Sequence, residues 1–283
     1  MKILWAGMAA CVLALSPGIA TAGSADHASH VQASMVVTGT IVINPDGSVA
    51  DYTLDQKDKL PPGVLKQMAK ALPHWVFRPV LRDGKAVLAK SHMSVRLVAN
   101  PVGHGNYTIT INGAHFGKGK PGETITKKHI SAPRYPRQLV LRRVSGTVYV
   151  TMQVGRDGHV ERVKIRQVDL RTKGRPEPMK RWRQALANAC ARAAKDWTFS
   201  PPVKGPHRDD AHWVVMMPVN FRTSDRKRAA YGQWQAYIPG PTHYIPWMDQ
   251  HMLAAGADAV PANGGLYSMQ QSLHLLTQLG DGS

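Results

Sequence analysis

The stretch HWVFRPV, residues 74–80, decides the reading of the fold, because it returns 122 positions later as DWTFSPP, residues 196–202. Both carry Trp-x-Phe-x-Pro, at Trp75, Phe77 and Pro79 and again at Trp197, Phe199 and Pro201. Each copy ends a run with helical periodicity. In PPGVLKQMAKALPHW, Val64/Leu65, Met68, Leu72 and Trp75 recur at spacings of three and four, which predicts one apolar helix face. Pro62 suits a first helical turn and Pro73 forces the stop. In MKRWRQALANACARAAKDW the stripe is Met179, Trp182, Leu186, Ala189/Cys190, Ala193 and Trp197. Lys180, Arg181, Arg183, Arg192 and Lys195 take the opposite face.

Upstream of each helix stands a hairpin signal. GTIVINPDGSVADYTL (39–54) and GTVYVTMQVGRDGHVERVKI (146–165) alternate apolar and polar residues around Asp46-Gly47 and Asp157-Gly158. Downstream, after a polar loop, comes one more alternating strand, SHMSVRLV (91–98) or HWVVMMPVNF (212–221). Gly47 and Gly158 lie 111 positions apart, so the second copy carries 11 extra residues between hairpin and helix, where RTKGRPEP (171–178) has loop composition. Continued into the last strand, the offset of 122 pairs Met93 with Val215, Val95 with Met217 and Leu97 with Val219. The expected fold is α+β, two tandem β-β-α-β units, each a small antiparallel sheet packed by one helix. In both, Gly47 or Gly158 makes the turn, Trp75 or Trp197 and Phe77 or Phe199 pin the helix end, and Pro79 or Pro201 ends the element.

The first unit is placed at 31–100 and the second at 132–223, joined by a Gly- and Lys-rich linker at 101–131 with one short strand at NYTITI (106–111). Residues 224–283 form a tail of Pro, Gly and aromatic residues, partly disordered or docked on another surface. Residues 1–22 read as a cleaved signal peptide: a basic start, a 13-residue apolar run at 3–15, and the small residues Ala20-Thr21-Ala22. A lipoprotein signal is the alternative at Met8-Ala9-Ala10-Cys11, but Cys11 lies inside the apolar run. The mature chain is therefore expected to be exported, to the periplasm or beyond. Removal of the signal leaves Cys190 as the only thiol and rules out an intramolecular disulfide.

Charge is the outlying quantity, with 36 Lys and Arg against 18 Asp and Glu. An exported protein meets no chromosome, so no nucleic-acid partner is expected. Anionic envelope material, or a solvated basic face, accounts for the excess. Catalytic and cofactor readings find little to build on. GKGKPGET (117–124) places Glu123 where a phosphate loop requires lysine. Glu123, Glu161 and Glu177 are the only glutamates, and none pairs with a second carboxylate at helical spacing. The histidines are scattered, with His27-x-x-His30 near the start and His207 and His212 beside Asp209-Asp210, and they propose no metal site. Cys190 falls on an apolar helix stripe, where a small buried hydrophobe is the commoner role. No enzyme and no cofactor is expected.

The order of features over 132–222 resembles the C-terminal domain of TonB-family energy transducers. Ala132-Pro133-Arg134-Tyr135-Pro136 opens it, then Gly146-Thr147-Val148, the turn Asp157-Gly158, the helix, and Trp197-Thr198-Phe199-Ser200-Pro201. The first copy matches from hairpin to exit and lacks the Tyr-Pro opening. The resemblance implies a module that pairs an extended peptide of an outer-membrane receptor with its last strand. Carried over, it implies a partner-binding edge at 212–221, with Trp213, Val215, Met217 and Val219 on the strand and Tyr135 and Pro136 flanking it. Pro218 departs from an ideal strand because it lacks a ladder donor. The family's uncleaved anchor and long Pro-rich spacer have no counterpart in this reading. A soluble protein-binding module is therefore expected, with a true transducer or a basic polymer-binding protein as alternatives.

Overall fold

The computed structural model describes residues 31–117, 121–223, 229–248, 265–270 and 273–279, so the signal expected at 1–22 lies outside the described residues. The chain is mixed α+β, its sheets antiparallel and its helices few. β1 (Gln32–Ile43) turns into β2 (Val49–Leu54), and α1 (Pro62–Ala71) follows. A 3₁₀ turn at Leu72–His74 closes that helix where Pro73 removes the next donor. After the two-residue ribbon of β3 (Leu81–Arg82) and β4 (Lys85–Ala86), β5 (Ala89–Gly103) runs back along the whole of β1. β6 (Asn106–Phe116) then adds to the far side of β5.

β7 (Thr126–His129) and α2 (Arg137–Leu141) lead into the hairpin of β8 (Gly146–Gly155) and β9 (Val160–Leu170). Next come α3 (Pro176–Ala194), β10 (Thr198–Ser200) and β11 (His212–Phe221), and β12 (Gln235–Tyr237) and β13 (Tyr267–Ser268) come from the tail. The first sheet has the order β12-β1-β5-β6, with β2 also on β1; the second has the order β13-β11-β8-β9. Residues 101–131 are thus more than a linker, since β6 is a full strand of the first sheet. Pro176 starts α3, so the loop after β9 is shorter than RTKGRPEP.

The two hairpins keep one register at a spacing of 111. Bulges fall between Val42 and Ile43 and between Gln153 and Val154. Gly47 and Gly158 adopt φ of +91° and +81°, open to glycine at no steric cost. Each turn also receives the exit motif: Phe77 N–H donates to the Gly47 carbonyl and Phe199 N–H to that of Gly158, both at 2.8 Å. A Cβ at either glycine would lie 2.1 Å from the phenylalanine's carbonyl oxygen. The last strands correspond differently from expectation. Gly39 pairs with Met93 and Val150 with Met217, so Met93 matches Met217 rather than Val215. Two residues are added in the loop before β11, which preserves which face each side chain takes.

Each sheet buries one face under its helix. Val64, Met68 and Leu72 pack with Val37, Ile41, Val95 and Leu97; Leu186, Ala189 and Cys190 pack with Val148, Val150, Met152 and Val215. Trp75 and Phe77 sit edge-to-face with each other and with Phe116 of β6. Trp197 is buried and donates its indole N–H to Ser131 O at 2.8 Å. Pro79 is exposed and Pro201 half-buried, at the ends of their motifs. Burial pushes the Cys190 thiol up, as its place on the apolar stripe requires.

The helix-free faces of the two sheets meet around Arg96, which is 3 % exposed. Its guanidinium donates to the Tyr149 hydroxyl, lies 3.5 Å from Asp169 and stacks over the rings of Tyr149 and Tyr237. Asp169 also accepts from Gln167 at 2.8 Å and from the backbone of Gly240 at 3.3 Å, and Thr242 holds Gln167 at 2.7 Å. This polar centre ties β5, β8, β9 and the tail together.

The tail, where described, is docked. β12 pairs with the start of β1, Ile238 and Leu170 exchange backbone hydrogen bonds of 2.7 and 3.0 Å, and Arg183 donates to Pro239 O at 3.0 Å. Arg183 therefore does not belong to the solvated face of α3, whereas Lys180, Arg181, Arg192 and Lys195 are exposed. The exit motifs receive equivalent support from different parts of the chain. Phe199 in β10 pairs with Lys127 of β7, and Phe77 bridges to Leu275. Two residues before each partner, Ile125 and Leu273 are both 4 % exposed, one in each core.

Candidate partner-binding edge

β11 forms where the sequence places it, and every one of its residues is buried or half-buried. One side of the strand is the ladder with β8, from His212↔Gly155 to Phe221↔Gly146. The other side is the edge that a partner strand would take. Along a strand, side-chain direction and in-plane N–H and C=O direction both alternate with period two. Trp213, Val215, Met217 and Val219 turn their side chains into the α3 core. Val214 O accepts from Met269 N at 2.9 Å and Val214 N donates to Gln270 Oε1 at 3.3 Å, so the backbone groups of the even-numbered residues face outward. Any partner at this edge meets Val214, Met216, Pro218 and Asn220. The side chains singled out from sequence hold the strand in the sheet instead.

Pro218 falls on that outward set. Its missing N–H is therefore absent from the edge and not from the β8 ladder, which explains how a strand paired along its whole length accommodates a proline. An added strand can pair at Val214 and Met216 but loses a donor at Pro218.

Tyr135 and Pro136 lie at the far end of β11 from Trp213. Tyr135 donates its hydroxyl to Val144 O and stacks edge-to-face with Phe221 at 5.0 Å, and Pro136 caps the short α2. The strand spans ten residues, roughly 30 Å at the usual rise, so the six expected residues do not form one patch.

The edge already carries a strand. Val215 pairs with Ser268 and Met216 with Tyr267 of β13. Gln270 extends the contact with its side chain, accepting from Val214 N and donating to His212 O at 3.2 Å. Tyr267 and Met269 join Tyr149, Val214, Met216, Ile245 and Met248 in an apolar cluster on the helix-free face. Tyr267 also packs edge-to-face with the His115 ring, 5.0 Å between centroids. None of the occupying residues was singled out from sequence. The only local signal was LYSM (266–269), an apolar-polar alternation too short to separate from a loop.

Among the described residues, no three His, Cys, Asp or Glu side chains converge to hold a metal ion, and no helix is long and apolar enough to cross a membrane. Near the start of β11, His207 Nδ1 and Asp210 pair at 2.9 Å, and Trp213 donates to His207 O. Comparison of the chain with protein-family models, curated proteins and solved structures finds no match.

Proposed function

We propose that this chain is an exported periplasmic binding protein built of two tandem β-β-α-β units of the TonB C-terminal kind. The outer edge of β11 receives an extended segment of an envelope or outer-membrane receptor protein. The observation that carries the reading is the strand-like seating of residues 267–270 on that edge, where Tyr267 and Met269 fill an apolar cluster while backbone groups pair with β11. Main-chain pairing with alternate side chains in a pocket is the physics of β-augmentation. The resident segment is the chain's own tail, so an external peptide competes with it. The matched bulges and glycine turns at a spacing of 111 support the tandem reading.

The test is a double substitution of Tyr267→Lys and Met269→Lys in the full chain, which removes the apolar anchors and leaves the rest of the tail in place. Affinity for extended receptor peptides, read by fluorescence anisotropy, rises if the tail guards the edge. Unchanged or weaker binding refutes the proposal. Deleting residues 224–283 would be a poorer test, because Tyr237, Ile238, Ile245 and Leu273 belong to the buried cores.

A further inference from the structure

Two loops meet at one end of the second sheet and bring exposed apolar and basic side chains together. The first contains α2, Arg137-Gln138-Leu139-Val140-Leu141, with Arg142 and Arg143 after it. Leu139 is buried and turns the rest of this short helix outward, leaving Leu141 75 % exposed and Val140 43 %. Arg137 stands four residues before Leu141, on the same helix face, and Arg137 and Arg142 are both exposed. The second loop, after β9, adds the exposed Lys173 and Arg175. Thr172 locks the two loops together. Its hydroxyl donates to Arg143 O and accepts from Ser145 N–H, both at 3.0 Å, and Arg171 N–H donates to Ser145 O at 2.8 Å.

Negative charge is scarce around these loops. The chain has no aspartate or glutamate from 124 to 156. Asp169 of β9 is buried against Arg96, and Glu177 is exposed in the first turn of α3. Among the described residues no ion pair engages Arg137, Arg142, Lys173 or Arg175. Four cations around an exposed leucine match a negatively charged bilayer, whose headgroups attract the cations while its acyl boundary accepts the apolar side chains. A soluble polyanion would meet the cations and leave Leu141 in water. The excess of 36 basic over 18 acidic side chains in the whole chain adds long-range attraction to the same surface.

We infer that the α2–β8 and β9–α3 loops dock on an anionic lipid surface. Arg137, Arg142, Lys173 and Arg175 take the headgroups, and Leu141 and Val140 insert beneath them. The loops are fixed before contact, so little ordering entropy opposes docking. The inference does not rest on the edge-binding reading of β11.

The protein lacking residues 1–22, whose apolar run would itself enter a bilayer, keeps every described element and is the one to test. It is floated with vesicles of phosphatidylcholine alone and with phosphatidylglycerol added, at low and high salt. Binding is expected only with phosphatidylglycerol, and salt weakens it by screening the charges. Arg142→Gln is expected to weaken it about fivefold and Leu141→Ser about tenfold. Both side chains are exposed, and melting curves of the variants check that the fold is kept. Leu81→Ser and Arg82→Gln alter an equally exposed pair beside Asp83 and leave binding unchanged. Binding that survives Leu141→Ser undiminished would mean attraction to charge alone, as to an anionic polymer, and overturns the inference. So does a lack of binding to phosphatidylglycerol, equal binding to phosphatidylcholine, or an equal loss in the Leu81 and Arg82 variants.

Discussion

Acidification gives the most demanding test of how the tail is seated, through His115 of β6. Its ring packs edge-to-face with Tyr267, and its Nδ1 is buried without a hydrogen-bond partner. Burial lowers its pKa to about 4, so the folded protein holds it neutral through most of the acid range. The unfolded chain protonates it near its ordinary value of about 6.5. Between those values the unfolded state binds more protons, so stability is full above the unfolded pKa and falls as pH drops toward the folded one. From pH 7.5 to 4.5 the loss from this one group amounts to about 2.5 kcal/mol. That is an upper value, because part of the ring keeps contact with solvent. The perturbation is His115→Phe, which keeps a ring against Tyr267 and removes the proton site. Urea unfolding at both pH values is the assay, and the variant is expected to lose about 2.5 kcal/mol less than the wild type on acidification. Parallel losses in the two proteins would refute the claim that His115 is buried neutral against the tail strand.

Two further outcomes follow from the packing. Asp169→Asn leaves the Arg96 guanidinium buried without its counter-charge and is expected to cost about 3–5 kcal/mol in thermal or urea unfolding; a loss under about 1 kcal/mol would mean that water reaches Arg96. Gly47→Ala and Gly158→Ala each force a side chain into positive φ against a carbonyl 2.1 Å away, and each should cost at least about 2 kcal/mol. Circular-dichroism melts of the two variants check this, and a large loss at one glycine with tolerance at the other would mean that the turns are not equivalent.

What was legible in the sequence was what short-range patterns encode. Alternation around Asp46-Gly47 and Asp157-Gly158 gave the hairpins, three-and-four spacing gave α1 and α3, and Pro73 gave the stop. Long-range pairing leaves no such mark. NYTITI announced a strand at 106–111, but the glycine and histidine that follow disguised its continuation to Phe116 on the edge of β5. Nothing local in SHMSVRLV marks Arg96 as buried, because the pattern does not show that a second sheet covers that face. At the candidate edge the sequence located the strand, and the apolar side chains it singled out face the α3 core rather than the edge. Apolar side chains draw attention, but a partner strand meets the backbone of their neighbours. The sparse alternation of the tail concealed that it supplies β12, β13 and the bridge at Leu275.

The place of Leu275 beside Phe77 has a consequence for the order in which the molecule assembles. The strand that pairs with the second exit motif precedes it, with Ile125 and Lys127 already made when Phe199 appears. The first motif waits for residues close to the C-terminus, and β1 waits for β12 some 200 positions away. Closing such separations is slow, because chain entropy is lost before contacts compensate for it. The exit motif made first is therefore the one whose backbone partner arrives last. A nascent chain holds an unfinished β1 edge and an exposed Phe77 until residues 235–237 and Leu275 arrive. Such an intermediate is a natural client for a holding chaperone.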